Sequence, residues 1–174
     1  IADLSSEVVD GTNKVDLNTA ATGGGSISSN LPSDGAGTSI DYYLNTGSAA
    51  DQVKGSGGSD FVRAGAGDDT VDGGAGDDII RLGTGNDRAT LGSGADSLYF
   101  TVDQLQQNNQ TKTITDFGNG ADKIQFKATD VQPSDVSIDG SVITITYSND
   151  SGTFTTQVVA ENGRTFTTDD IEFI

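Results

Sequence analysis

From Thr46 to Tyr99 the apolar residues follow a period that belongs neither to a helix nor to a long strand. One aliphatic recurs at every ninth position, at Val53, Val62, Val71, Ile80, Ala89 and Leu98, each at the centre of a three-residue run: QVK, FVR, TVD, IIR, RAT and SLY. The six residues before each run are mostly small or polar. A block of nine therefore reads as a six-residue turn followed by a three-residue strand, whose central side chain faces one way and whose neighbours face the other. A single block buries almost nothing. Stacked, two blocks make one coil of eighteen residues, and the coils build two parallel sheets around a thin core formed by the aliphatic row.

The fold class expected is all-β, a parallel β-roll over residues 46–99 with flanking antiparallel capping segments at 1–45 and 100–174. On the N-terminal side EVVDGTNKVDLNTA supplies one or two strands and ATGGGSISSNLPSDGAGTS reads as loop. SIDYYLN, Ser39 to Asn45, is a degraded coil that caps the roll, because it has no aspartate in phase. After the roll, DQLQQNNQ is a polar loop or short helical turn. Phe117, Ile124 and Phe126 form an apolar plug over the open end, since an exposed parallel edge would recruit other chains. The alternation in VSIDGSVITIT predicts strands turning at Asp139-Gly140, and GTFTTQVV after SNDSG completes a hairpin.

The polar positions carry the chemistry. The blocks are TGSAADQVK, GSGGSDFVR, AGAGDDTVD, GGAGDDIIR, LGTGNDRAT and LGSGADSLY. Their sixth residue is always aspartate: Asp51, Asp60, Asp69, Asp78, Asp87 and Asp96. Position four is glycine in every block but the first, where Ala49 stands. A flexible linker of similar composition would not hold this phase. Successive turns alternate sides, so Asp51, Asp69 and Asp87 line one edge and Asp60, Asp78 and Asp96 the other. Carboxylates stacked at the inter-strand spacing of about 4.8 Å repel unless a cation lies between them. Calcium suits such a slot, because it takes six to eight oxygens at about 2.3–2.6 Å and tolerates irregular shells, whereas magnesium demands a tight octahedron. The aspartates donate side-chain oxygens and the bends donate carbonyls.

Composition narrows the rest. The formal net charge is -17, with 26 acidic residues against 9 basic ones, and there is no histidine, cysteine, methionine or tryptophan. Nucleic acid is a poor partner for that charge. Nucleophilic triads, imidazole or thiolate zinc sites and disulfides are excluded outright. No membrane-length apolar run occurs, so membrane insertion is not expected. A chain opening at Ile1 reads as a fragment or processed product.

GGAGDDIIR at Gly73 to Arg81 resembles the repeats-in-toxin (RTX) nonapeptide G-G-x-G-x-D-x-U-x in full, and the other blocks depart from it at one or two glycines. The resemblance implies a calcium-loaded parallel β-roll of a bacterial protein exported by type I secretion. It implies about three to five calcium ions. The metal set is then Asp51, Asp60, Asp69, Asp78, Asp87 and Asp96, with backbone donors at Gly55, Gly57, Ala64, Ala66, Gly73, Ala75, Leu82 and Thr84. Asp51 lies in the block without the fourth glycine, the one suited to cap. TITDFGNGADKI, Thr113 to Ile124, resembles the I-x-D-F-x-x-G-x-D-x-I stretch that follows such repeats, which makes Asp116 and Asp122 secondary calcium ligands. The tail DDIEFI resembles the uncleaved C-terminal address read by the type I secretion machinery, the alternative being a last capping strand.

No catalytic residue is assigned. The pairs Asp68/Asp69 and Asp77/Asp78 invite a glycosidase reading, but the second member of each is committed to metal and no aromatic platform accompanies them. The expected function is a noncatalytic, secreted or cell-surface module that folds on binding extracellular calcium and forms the C-terminal part of a larger exoprotein. The alternatives are a surface-layer or adhesin module and the targeting tail of a protease, lipase or epimerase. Lys54, Arg63, Arg81 and Arg88 face outward, either to offset the acids or to meet an acidic cell-surface glycan; self-association through sheet edges is the remaining partner class.

Overall fold

The computed structural model describes residues 41–174, together with two earlier segments as strands. Those segments are β1 (Lys14–Asn18) and β2 (Ser26–Ile27). β3 (Asp41–Asn45), β4 (Gln52–Lys54), β5 (Phe61–Arg63), β6 (Thr70–Asp72), β7 (Ile79–Arg81), β8 (Asp87–Thr90) and β9 (Ser97–Phe100) follow at the repeat interval. The chain ends with β10 (Gln110–Ile114), β11 (Lys123–Phe126), β12 (Val136–Asp139), β13 (Val142–Asn149), β14 (Gly152–Ala160) and β15 (Ile171–Phe173). No helix among the described residues is long and apolar enough to cross a membrane.

Odd and even strands segregate. One sheet runs β1-β3-β5-β7-β9-β11-β15 and the other β12-β13-β14-β10-β8-β6-β4-β2. Within the roll each strand pairs in parallel with the one two ahead, so that Val53 aligns with Val71 and Val71 with Ala89, while Val62 aligns with Ile80 and Ile80 with Leu98. Among the described strands, antiparallel pairing occurs where β13 lies between β12 and β14. The protein is an all-β parallel roll with an antiparallel flank.

All six members of the expected aliphatic row are buried. The core is nevertheless wider than that row. Ala64, Leu82 and Leu91, the first residues of their blocks, are fully buried as well, because the chain leaving a strand still faces the gap between the sheets before it bends. The two later coils thus add inward residues, Ala64 in one and Leu82 and Leu91 in the other, to the aliphatic row.

The parallel stack runs past both Thr46 and Tyr99. Leu44 of β3 aligns with Val62, so DYYLN, Asp41–Asn45, is a strand in phase with the coils. β2 lies within the stretch read as loop and pairs with β4; a two-residue strand has no alternation by which to be seen. The rest of that stretch, and any strand before Lys14, lie outside the described residues. At the other end DQLQQNNQ contributes to a 3-10 turn at Val102–Gln104. β10 then joins the even sheet between β8 and β14, and β11 joins the odd sheet between β9 and β15.

The expected plug takes a different form. Ile124 and Phe126 are members of β11, aligned with Leu98 and Phe100, so they extend the roll. Phe126 stacks between Phe100 and Phe173, with ring centroids 5.5 Å away on each side. Phe117 packs edge-on to Phe166 at 4.9 Å. The hairpins form where the alternation placed them, β12 to β13 through Gly140 and β13 to β14 through Asp150-Ser151. The tail forms β15, in parallel register with β11 at the edge of its sheet.

Candidate metal centre

The six in-phase aspartates are between 0% and 5% exposed, unusual for carboxylates. For five of them, Asp60, Asp69, Asp78, Asp87 and Asp96, one oxygen is explained by the stacking. Asp69 Oδ1 accepts the Asp51 N–H at 2.8 Å and Asp87 Oδ1 that of Asp69 at 2.9 Å. On the other edge Asp78 accepts from Asp60 and Asp96 from Asp78, both at 2.8 Å. Each of these four carboxylates therefore reaches back eighteen residues to hold the turn before it. The ladder extends at both ends, since Asp60 Oδ1 accepts the Tyr42 N–H and Asp122 Oδ1 the Asp96 N–H.

The second oxygens differ. Asp60 Oδ2 accepts the Ser56 N–H at 2.6 Å, Asp51 Oδ2 that of Gly47 at 3.3 Å, and Asp122 Oδ2 that of Gly118 at 2.7 Å. Asp69 Oδ2, Asp78 Oδ2 and Asp96 Oδ2 are buried without a hydrogen-bond partner. An uncompensated buried carboxylate oxygen is strongly unfavourable. Burial, countered by the ladder hydrogen bonds and reinforced by neighbouring acids, pushes Asp69 up to about 7, Asp78 to about 8 and Asp96 to about 6 from 3.8. Asp60 and Asp87 are raised too, burial again the largest cause.

A cation between turns would answer both facts. Among the described residues no three carboxylates converge on one point, so the remaining donors must come from the backbone. The turn at 82–87 shows that they can: Gly83 O, Gly85 O and Asp87 Oδ2 converge on the Lys112 ammonium at 2.8, 2.8 and 2.6 Å. The donor set is hard oxygen throughout, the chemistry that calcium takes.

These carbonyls sit at positions two and four of the block, which the sequence reading did not single out. The expected backbone donors lie at positions one and three. Of these, Thr84 O accepts the Gly67 N–H and Ala64 O the Thr46 hydroxyl. Ala66 bridges to Thr84, and Ala75 to Ser93, across neighbouring coils. Gly55 and Gly73 donate their N–H groups to Asp72 O and Thr90 O. Gly57 lies in the turn that Asp60 closes, and the Leu82 side chain is core. Asp116 accepts the Leu91 and Gly92 N–H groups at 2.8 and 2.9 Å, closing the turn at 91–96 from outside the ladder. Asp122 is the sixth residue of FGNGADKIQ, a seventh block whose phase is displaced by the residues between β9 and β11. Its G-x-G-x-D-x-I spacing was visible all along; the break in period concealed it.

Position five holds a second ladder that sequence reasoning missed. Asp68 Oδ1 accepts the Asn86 N–H and Asn86 Oδ1 that of Thr111; on the other edge Asp41, Ser59 and Asp77 receive the amides of Ser59, Asp77 and Ala95. The signal was the run of Ser, Asp, Asp and Asn at that position. Asp68 and Asp77 thus have structural work apart from their neighbours. The outward bases are paired as well: Lys54 with Asp72, Arg63 and Arg81 with Asp103, and Arg88 with Glu161.

The ladder ranks the aspartates. Asp78→Ala strands the Asp60 N–H, a cost of about 1–3 kcal/mol, and removes the unpartnered oxygen that would face the metal. Asp51→Ala removes a carboxylate whose second oxygen already accepts Gly47 N–H. Calorimetric calcium titration is expected to show the larger loss of affinity for Asp78→Ala, and equal losses would reject the ranking.

Residues 45–80 and 73–101 match the model of the RTX calcium-binding nonapeptide repeat (4 copies). Those residues are RTX repeats. Among solved structures, the chain is similar to the AlgE6R3 subunit from the Azotobacter vinelandii mannuronan C5-epimerase, with 24% identity and a TM-score of 0.52 over 71% of this chain and 78% of that one. The AlgE6R2 subunit of the same epimerase matches with 22% identity and a TM-score of 0.49, over 75% and 92% of the two chains. No curated protein matches. At this identity the first likeness shows the fold, and the family model shows the repeat.

Proposed function

We propose that this chain is a noncatalytic calcium-binding module in which ions held between same-edge turns complete a roll whose core is too thin to stabilise it alone. The observation that carries this reading is the set of three buried oxygens, Asp69 Oδ2, Asp78 Oδ2 and Asp96 Oδ2, each in register beside a glycine-rich bend and each without a partner. The residues fit a hard divalent cation. When bound, calcium supplies the charge that offsets carboxylate repulsion; the chain's part is to hold the acids at coil spacing and to keep water out.

The same physics suits a protein that changes compartment. Where free calcium is scarce, stacked acids oppose compaction and the chain stays extended enough to be exported; where calcium is abundant, binding offsets the ordering entropy. The module accordingly belongs to a larger exoprotein that leaves by type I secretion and works outside the cell or at its surface, with DDIEFI as the address. The resemblance of the repeats and tail to that class supports this assignment.

Titrating calcium into chelator-treated protein is the test. Circular dichroism is expected to show a steep gain of β structure with a midpoint of about 10⁻⁴–10⁻³ M, the range of extracellular calcium modules. A chelator-treated protein that is already fully folded at pH 8, where the buried acids are largely ionised, would sink the reading.

A further inference from the structure

Strand register gives each ladder aspartate a counterpart in the next coil. On one edge Asp60, Asp78, Asp96 and Asp122 succeed one another, the last because Lys123 aligns with Ser97. On the other edge Asp51 and Asp69 are followed by Asp87, but the residue aligned with Asp87 is Lys112 of β10. Its side chain is fully buried. It turns back into the preceding turn, where Gly83 O, Gly85 O and Asp87 Oδ2 accept from Nζ, with Gln110 Oε1 at 3.3 Å. Three close acceptors match the three N–H groups of an ammonium; a neutral amine has one fewer. Asp87 Oδ2 is thereby satisfied, whereas the same atom of Asp69, Asp78 and Asp96 has no partner.

We propose that the Lys112 ammonium stands in the place of a calcium ion in the last gap of the Asp51–Asp69–Asp87 edge, closing that edge with a covalently attached cation while the opposite edge carries metal one coil further, to Asp122. The proposal rests on the calcium reading above. An ordinary buried ion pair would need only the carboxylate. Here two turn carbonyls and the aspartate point at one centre, the arrangement an ion would meet. β10 also pairs with both β8 and β14, so the cation that ends this edge cannot dissociate from the element that docks the antiparallel flank.

Reciprocal swaps test it, with ions counted by native mass spectrometry on the whole chain at saturating calcium. Lys112→Asp is expected to bind one ion more than wild type, and Asp122→Lys one fewer. In nitrogen-15 spectra the wild-type Lys112 ammonium is expected to give an exchange-protected signal that persists when calcium is saturating. A positive wild-type count unchanged in both swaps, or an ammonium signal that disappears on calcium addition, overturns this inference alone. A wild-type count of zero takes down the calcium reading and this inference together. Should Lys112→Asp fail to fold, the Asp122→Lys count and the ammonium signal still decide.

Discussion

In the presence of a chelator the roll is expected to be more stable at pH 5 than at pH 8, and at saturating calcium the order is expected to invert. The sign follows from the buried acids. In the metal-free fold Asp69, Asp78 and Asp96 hold their protons up to about 7, 8 and 6, against 3.8 for an ordinary aspartate. A carboxyl whose folded value is raised contributes stability that is complete below the unfolded value and is lost as pH climbs through the folded one. For these three groups the loss begins near 4 and ends near 8, and between pH 5 and 8 it is on the order of several kcal/mol. Calcium binds the ionised form, so protons compete with it and its contribution grows over the same interval. Thermal melts followed by circular dichroism at the two pH values, with and without calcium, read the effect directly. Stability that changed with pH in the same direction in both series would mean that these carboxylates are not where the metal acts.

Gly83→Ala is expected to damage the roll severely even with calcium bound, by about 3 kcal/mol or more, whereas Gly140→Ala is expected to cost about 1 kcal/mol, the left-handed backbone penalty alone. Both glycines have positive φ, +87° and +59°. Their surroundings differ. A Cβ on Gly83 would lie 1.7 Å from the carbonyl oxygen of Gly65, which is backbone of the neighbouring coil and cannot move without breaking the stack; at Gly140, in a hairpin turn, nothing lies within 4 Å. Gly83 also offers one of the carbonyls around Lys112, so a shifted turn would misplace an oxygen of that centre. Urea unfolding at saturating calcium separates the two, and similar midpoints for both variants would mean that coils are not held at the spacing described.

The repeat was legible because it is written in side-chain type. Six aspartates and six aliphatics in phase oblige neighbours eighteen residues apart to stack, and the register of Val62 with Ile80 and of Asp60 with Asp78 follows from counting. Legibility failed where phase failed. FGNGADKIQ has the spacing of a block, yet it lies 26 residues beyond the previous turn, and Asp122 looked like a satellite acid rather than the next rung. Ala64, Leu82 and Leu91 could have been turn residues of any orientation until the path of the bend showed them facing inward. At position five Ser59, Asp68, Asp77 and Asn86 share little except a side-chain acceptor, and a shared acceptor becomes a pattern only once the amide it serves is known.

Lys112 is the clearest case of what the chain alone withholds. In QTKTI it reads as a strand residue between two threonines, and its side chain would be assigned to solvent. Only the docking of β10 between β8 and β14 aligns it with Asp87 and buries it. By itself the sequence determined the composition of the ladders, because a repeat of nine propagates one local rule from coil to coil. Where each ladder stops, and whether its last cation is an ion or a lysine, was decided by the tertiary structure, because that depends on which distant strand closes over the final turn.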